Sequence, residues 1–182
     1  MRDHAIAHGP EGPADTVKTG PLDTLARLVV QRLALSQDVA TAKYASCHSI
    51  EDPVRERRVL EAAASELIWT GGRLDAGLQF IRDQIEANRV IQRELHHRWY
   101  THPEEVPAVH RELAEEVWPD LDLVTIQLIL QLNCMTHPPR LRLDLIEDLI
   151  RRQFAATMPA PPLPRLHRHA ALFALRSFCL EW

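Results

Sequence analysis

Apolar residues recur every three to four positions along most of the chain, the spacing of one face of an α-helix. Leu25, Leu28, Val29 and Val39 mark such a stripe in a first helix expected over about Pro21–Ala45. Asp52-Pro53 has the form of an N-cap followed by the first helical residue, which predicts a second helix ending near Trp69. A third is expected over about Leu74–Trp99 and a fourth over about Val109–Leu132, which Pro119 either kinks or truly begins. A fifth spans roughly Leu141–Ala156 and a sixth about Arg165–Leu180. "CHSIED", "TGGR", "THPEEVPA", "THPPR" and "MPAPPLP" break the pattern between them. No segment alternates with the period of a strand, and the expected fold class is all-α.

Polar residues interrupt two of these stripes. Arg32 and Lys43 lie on the apolar side of the first helix with Ser36 between them. Eleven residues at about 100° each make about three turns plus 20°, so the two cations are nearly eclipsed. In the third helix Leu78, Ile81, Ile85, Asn88, Gln92 and Trp99 share one face, so two amides sit in an apolar row. Arg55 falls in the first turn of the second helix beside Glu56, with Asp52 at the cap. Unpaired buried charge is costly, so the cations call for an anionic partner. If the three helices pack together, Arg32, Lys43, Arg55, Asn88 and Gln92 form one pocket suited to a small dianion, most naturally a dicarboxylate. No nucleophile–base pair, cofactor motif or metal cluster accompanies them. That leaves catalysis by positioning and electrostatic preorganisation, as in a unimolecular rearrangement, or simple binding of an anion.

Bulk properties narrow the partners. A formal net charge of −4 over 182 residues gives no reason to expect nucleic acid or an acidic membrane. No apolar run approaches a membrane span, and the opening lacks the apolar core of a secretory signal. The chain as written is expected to be cytoplasmic, or periplasmic or secreted if a leader is missing. Residues 1–20 are rich in Gly, Pro and charge and are expected to be a disordered tail. His96, His97 and His102 cluster in sequence, but adjacent histidines point about 100° apart on a helix, so no metal site is expected. His167 and His169, near the Pro-rich linker, are expected to be solvated, and Trp99 and Trp118 to anchor the core. A homodimer is compatible with the sequence.

The order and spacing of Arg32, Lys43, Arg55 within "EDPVRER", and Asn88 and Gln92 within "RDQIEANRVIQ", resemble the all-helical chorismate mutases. The match extends over Leu22–Pro107 and is most similar to their exported, gamma subclass. The resemblance implies a type II-like six-helix bundle, with a catalytic half over 21–107 and a helical C-terminal half over 108–182 packing on it. It implies the Claisen rearrangement of chorismate to prephenate. Arg32 and Arg55 would hold the substrate carboxylates with Asn88 assisting, and Lys43 and Gln92 would donate to the enolpyruvyl ether oxygen. Glu56 and the Asp52 backbone would contact the ring hydroxyl. Some members carry Glu at the position of Gln92, which must be protonated to donate. A Gln donates at any pH, so a nearly flat profile from about pH 5 to 8 is implied.

Two positions depart from the family pattern. The exported members supply a further active-site Arg in a context resembling "R-P-x-L-D"; here the stretch reads "EEVWPDLD", with Trp118 in its place. Arg111 lies seven residues earlier on the same helical face. Val59 stands where an amide-bearing residue is common. Loss of one carboxylate-binding Arg is worth roughly 2–4 kcal/mol of transition-state binding. These departures leave room for a mutase or pyruvate lyase acting on isochorismate or a related enolpyruvyl ether, or for a catalytically dead metabolite-binding module. Cys134 and Cys179 sit where exported members close a disulfide, and Cys47 is expected to be a buried or half-buried free thiol.

Overall fold

A computed structural model describes residues 20–135, 143–158 and 164–181, the side chains of 143–145 and 177–181 excepted. Among the described residues there are six α-helices and no strand: α1 Pro21–Ala45, α2 Pro53–Trp69, α3 Leu74–Thr101, α4 Trp118–Asn133, α5 Leu143–Thr157 and α6 Pro164–Glu181. The expected tail, apart from Gly20, and the two C-terminal linkers, apart from Met158 and Pro164, lie outside the described residues.

Local chemistry accounts for most helix ends. The Asp52 carboxylate accepts from the Arg55 backbone N–H at 2.9 Å, so α2 begins with a side-chain cap and Pro53 follows it. α1 ends at Ser46, after which Cys47 takes a left-handed φ of 55°. The Cys47 thiol is on the surface, exposed rather than buried or half-buried as expected. Gly71, with φ of 70°, turns the chain from α2 into α3.

The fourth helix begins nine residues later than Val109, and Pro119 marks its start rather than a kink. The apolar spacing of Leu113 and Val117 is real, but it belongs to a single π-helical turn over Leu113–Val117. Arg111 and Glu112 ahead of it are drawn into side-chain pairs instead of a helical turn. Arg111 donates to Asp120 at 2.6 Å and to Asp38 at 3.3 Å, and the Glu112 N–H donates to the Glu116 carboxylate at 2.8 Å.

α1 is the central helix and touches α3, α4, α5 and α6. α2 lies across α3 and α4, while α6 packs mainly on α3. One continuous core joins Leu25, Val29 and Leu33 of α1 to Phe80 and Ile91 of α3, Leu128 of α4, Ile150 of α5 and Ala171 of α6. His167 belongs to this interior. It is fully buried, edge-on to Phe154 at 6.3 Å, and not solvated as expected; its position on α6 faces α5 rather than the linker before it. Trp99 is buried as expected, against Tyr44 and His96.

The α2–α3 approach is tight enough to require glycine. A Cβ on Gly77 would lie 2.6 Å and 2.7 Å from the two methyls of the fully buried Leu67. Gly77→Ala is therefore expected to destabilise the fold by about 1–2 kcal/mol, overpacking outweighing the gain in helix propensity. A thermal melt checks this, and an unchanged or raised Tm would show that Leu67 can yield.

Candidate active site

Four helices wall one cavity of about 70 Å³. α1 contributes Arg32, Val39 and Lys43; α2 and the residues before it contribute Ile50, Asp52, Arg55, Glu56 and Val59. From α3 come Ile85, Asn88, Arg89 and Gln92, and from α4 Trp118, Leu121, Asp122 and Thr125. All five residues of the dianion pocket inferred from sequence are thus brought together, with Asp52, Glu56, Val59 and Trp118. Arg111 is not. Its ion pairs with Asp38 and Asp120 hold it outside the cavity wall.

Arg32 is 4% exposed, as the stripe of α1 demanded. Its Nε donates to Thr125 Oγ1 at 3.3 Å and its Nη1 to the Gln84 carbonyl at 3.0 Å. A guanidinium has five N–H donors, so these two bonds leave three for a ligand. Burial, with the nearby Arg55 adding to it and Asp122 opposing, lowers the Arg32 pKa to about 10. The group is still a full cation at neutral pH, in an environment short of anions.

Lys43 is also buried, and its ammonium donates to the Ile50 carbonyl at 2.5 Å. Burial pushes its pKa below the ordinary lysine value, against the pull of Asp52, Glu56 and Glu51. Asn88 and Gln92 form a short relay across the floor. Gln92 Nε2 donates to Asn88 Oδ1, and Asn88 Nδ2 donates to the Arg32 carbonyl at 3.4 Å. Among the described residues Gln92 Oε1 is buried without a hydrogen-bond partner, and the second Nε2 hydrogen is available to a ligand.

The α4 wall was not inferred from sequence beyond Trp118. Arg55 Nη2 donates to Asp122 Oδ1 at 2.5 Å, and its guanidinium lies 5.1 Å from the centroid of the Trp118 ring, a cation–π contact. Arg89, also missed, donates to Glu56 at 3.1 Å and pairs with Glu86. A signal for the α4 residues was present. Asp122 and Thr125 follow Trp118 at i+4 and i+7, on one helical face. Trp118, Lys43 and Asp52 also line an outer groove of about 490 Å³ with Ser46, His48 and His110, so the cavity opens toward solvent past Trp118.

No family model matches the chain. It is 28% identical over 174 residues to a protein named secreted chorismate mutase from Mycolicibacterium smegmatis, a match covering 93% of this chain and 91% of that one. It superposes on the crystal structure of chorismate mutase from Burkholderia thailandensis with a TM-score of 0.71 at 26% identity, over 87% of this chain and 99% of the other. For chorismate mutase from Burkholderia phymatum the TM-score is 0.74 at 25% identity, over 87% and 96% of the chains. In sequence and in fold the chain is similar to chorismate mutases.

At α4 the cavity departs from the expected pattern. Trp118 occupies the position where the exported subclass pattern expects an arginine, and the ring serves as a platform for Arg55. Val59 adds an apolar wall. The relative from M. smegmatis is a secreted protein by name. Among the described residues no helix is long and apolar enough to cross a membrane. Cys134 is exposed with a free thiol, and the side chain of Cys179 lies outside the described residues.

Proposed function

We propose that the chain is a chorismate mutase that converts chorismate to prephenate by electrostatic preorganisation. The observation that carries this reading is the convergence of Arg32, Lys43, Arg55, Asn88 and Gln92 on one cavity. The rearrangement is intramolecular: the ether C–O bond breaks as a C–C bond forms, and negative charge grows on the ether oxygen. Donors aimed at that oxygen stabilise the transition state more than the ground state. Lys43 and Gln92 fill that role. Arg32 and Arg55 take the two carboxylates with Asn88 in support, holding the compact conformer from which the new bond forms. Glu56 and the Asp52 backbone face the ring hydroxyl at the start of α2. The substrate is a small dicarboxylate, and no step requires a proton transfer or a cofactor.

Thr125, on the α4 wall of the cavity, orients Arg32 by accepting from its Nε. Thr125→Val removes the acceptor for Arg32 Nε while keeping the side-chain shape. A bond to a charged group is worth about 1.5–3 kcal/mol, so kcat/KM is expected to fall about ten- to a hundredfold, with a modest fall in Tm from the buried N–H left without its acceptor. Steady-state kinetics beside a melt measures both.

The test of the function is incubation of purified protein with chorismate, followed by absorbance, with products identified by NMR. Prephenate as the sole product supports the proposal. Release of pyruvate from isochorismate in a parallel reaction, with chorismate untouched, would assign the chain to the lyases instead. Thermal stabilisation by chorismate without turnover would make it a binding module.

A further inference from the structure

Arg55 is already engaged by a carboxylate. Asp122 Oδ1 sits 2.5 Å from Arg55 Nη2, where the proposed mechanism puts a carboxylate of the substrate. The other acids lining the cavity have different duties: Asp52 caps α2 through the Arg55 N–H, and Glu56 holds Arg89. Asp122 alone among the lining acids pairs with a guanidinium assigned to substrate.

The two partners are not equally held. Arg55 is 20% exposed at its side chain and rests on the Trp118 ring, whereas Asp122 is 47% exposed. Asp122 can therefore turn to water at small cost while Arg55 stays aimed into the cavity. A dianion entering with Asp122 in place would set carboxylate against carboxylate. The free space of about 70 Å³ leaves little room to avoid that contact. Substrate binding thus requires the Arg55–Asp122 pair to open, and the free energy of the pair is subtracted from substrate affinity.

We propose that Asp122 is a built-in competitor for the substrate carboxylate on Arg55, an affinity-setting residue that occupies the guanidinium in the free protein and is displaced on binding. The inference rests on the chorismate mutase reading of the same site. Trp118 completes the device by keeping Arg55 in position after Asp122 has left.

Asp122→Asn keeps the shape and removes the charge. Because a partly exposed pair is worth up to about 1 kcal/mol, KM for chorismate is expected to fall about three- to fivefold with little change in kcat. Asp122→Ser, which cannot reach Arg55, should change KM in the same direction. If Asp122 instead orients Arg55 for catalysis, both variants would raise KM and lower kcat, and the proposal is overturned. An unchanged KM in folded variants overturns it equally. Malonate, read by thermal shift, separates this test from that of the function. Even in a chain that does not turn over chorismate, both variants should be stabilised at lower malonate concentrations than the parent, and equal or higher concentrations would contradict the competitor role.

Discussion

Arg32→Met is expected to slow chorismate rearrangement by about a hundred- to a thousandfold while leaving the Tm equal to or above that of the parent chain. The rate loss is what removal of one buried, preorganised donor costs. The stability gain follows from linkage. Arg32 has a folded-state pKa of about 10, below the ordinary arginine value, so the unfolded chain binds more protons between the two. Stability attributable to this group therefore rises with pH across that window, and at neutral pH the full cost of the buried charge is present. An apolar side chain of similar length removes that cost, as happens when buried charges are replaced by hydrophobes. Lys43→Met should show the same loss of rate. A parallel fall in Tm and activity would mean that these cations hold the fold and not a substrate.

Gln92→Glu is expected to convert a flat pH profile into a falling one. Gln92 donates through an amide that does not titrate, so the parent rate should be nearly constant from about pH 5 to 8. It should decline only on the alkaline side, at a pH below the ordinary lysine value, because burial lowers the pKa of Lys43 and the neutral amine carries no charge to stabilise the ether oxygen. In the Glu variant only the protonated acid donates, so the rate should fall about tenfold per pH unit above its pKa. A rate–pH profile of both proteins decides this. A steep decline of the parent above about pH 6 would remove Gln92 from the ether oxygen.

The residues that could be read from sequence were those whose placement depends on one helix at a time. Arg32 and Lys43 are nearly eclipsed on α1 wherever α1 packs, and Asn88 and Gln92 share a face of α3 by spacing alone. The Asp52-Pro53 start of α2 is local chemistry as well. What could not be read depends on partners distant in sequence. Arg111 was a candidate for the cavity, but whether it turns inward is decided by Asp38, 73 residues away, and by Asp120. The same holds for Asp122, whose meaning comes from Arg55 on another helix. α4 was started too early because the apolar spacing of a π-turn mimics that of an α-helix over so few residues. His167 was misread because proximity to a proline-rich segment says nothing about which face of α6 meets α5.

Where a diacid binds tests the role of these residues most directly. A crystal structure with a rigid bicyclic diacid that mimics the compact transition state should place one carboxylate on Arg32 and the other on Arg55. Its ether oxygen should lie within hydrogen-bond distance of Lys43 Nζ and Gln92 Nε2. A ligand seated instead in the outer groove beside His48 and His110, or one whose ether oxygen meets neither Lys43 nor Gln92, would contradict the account.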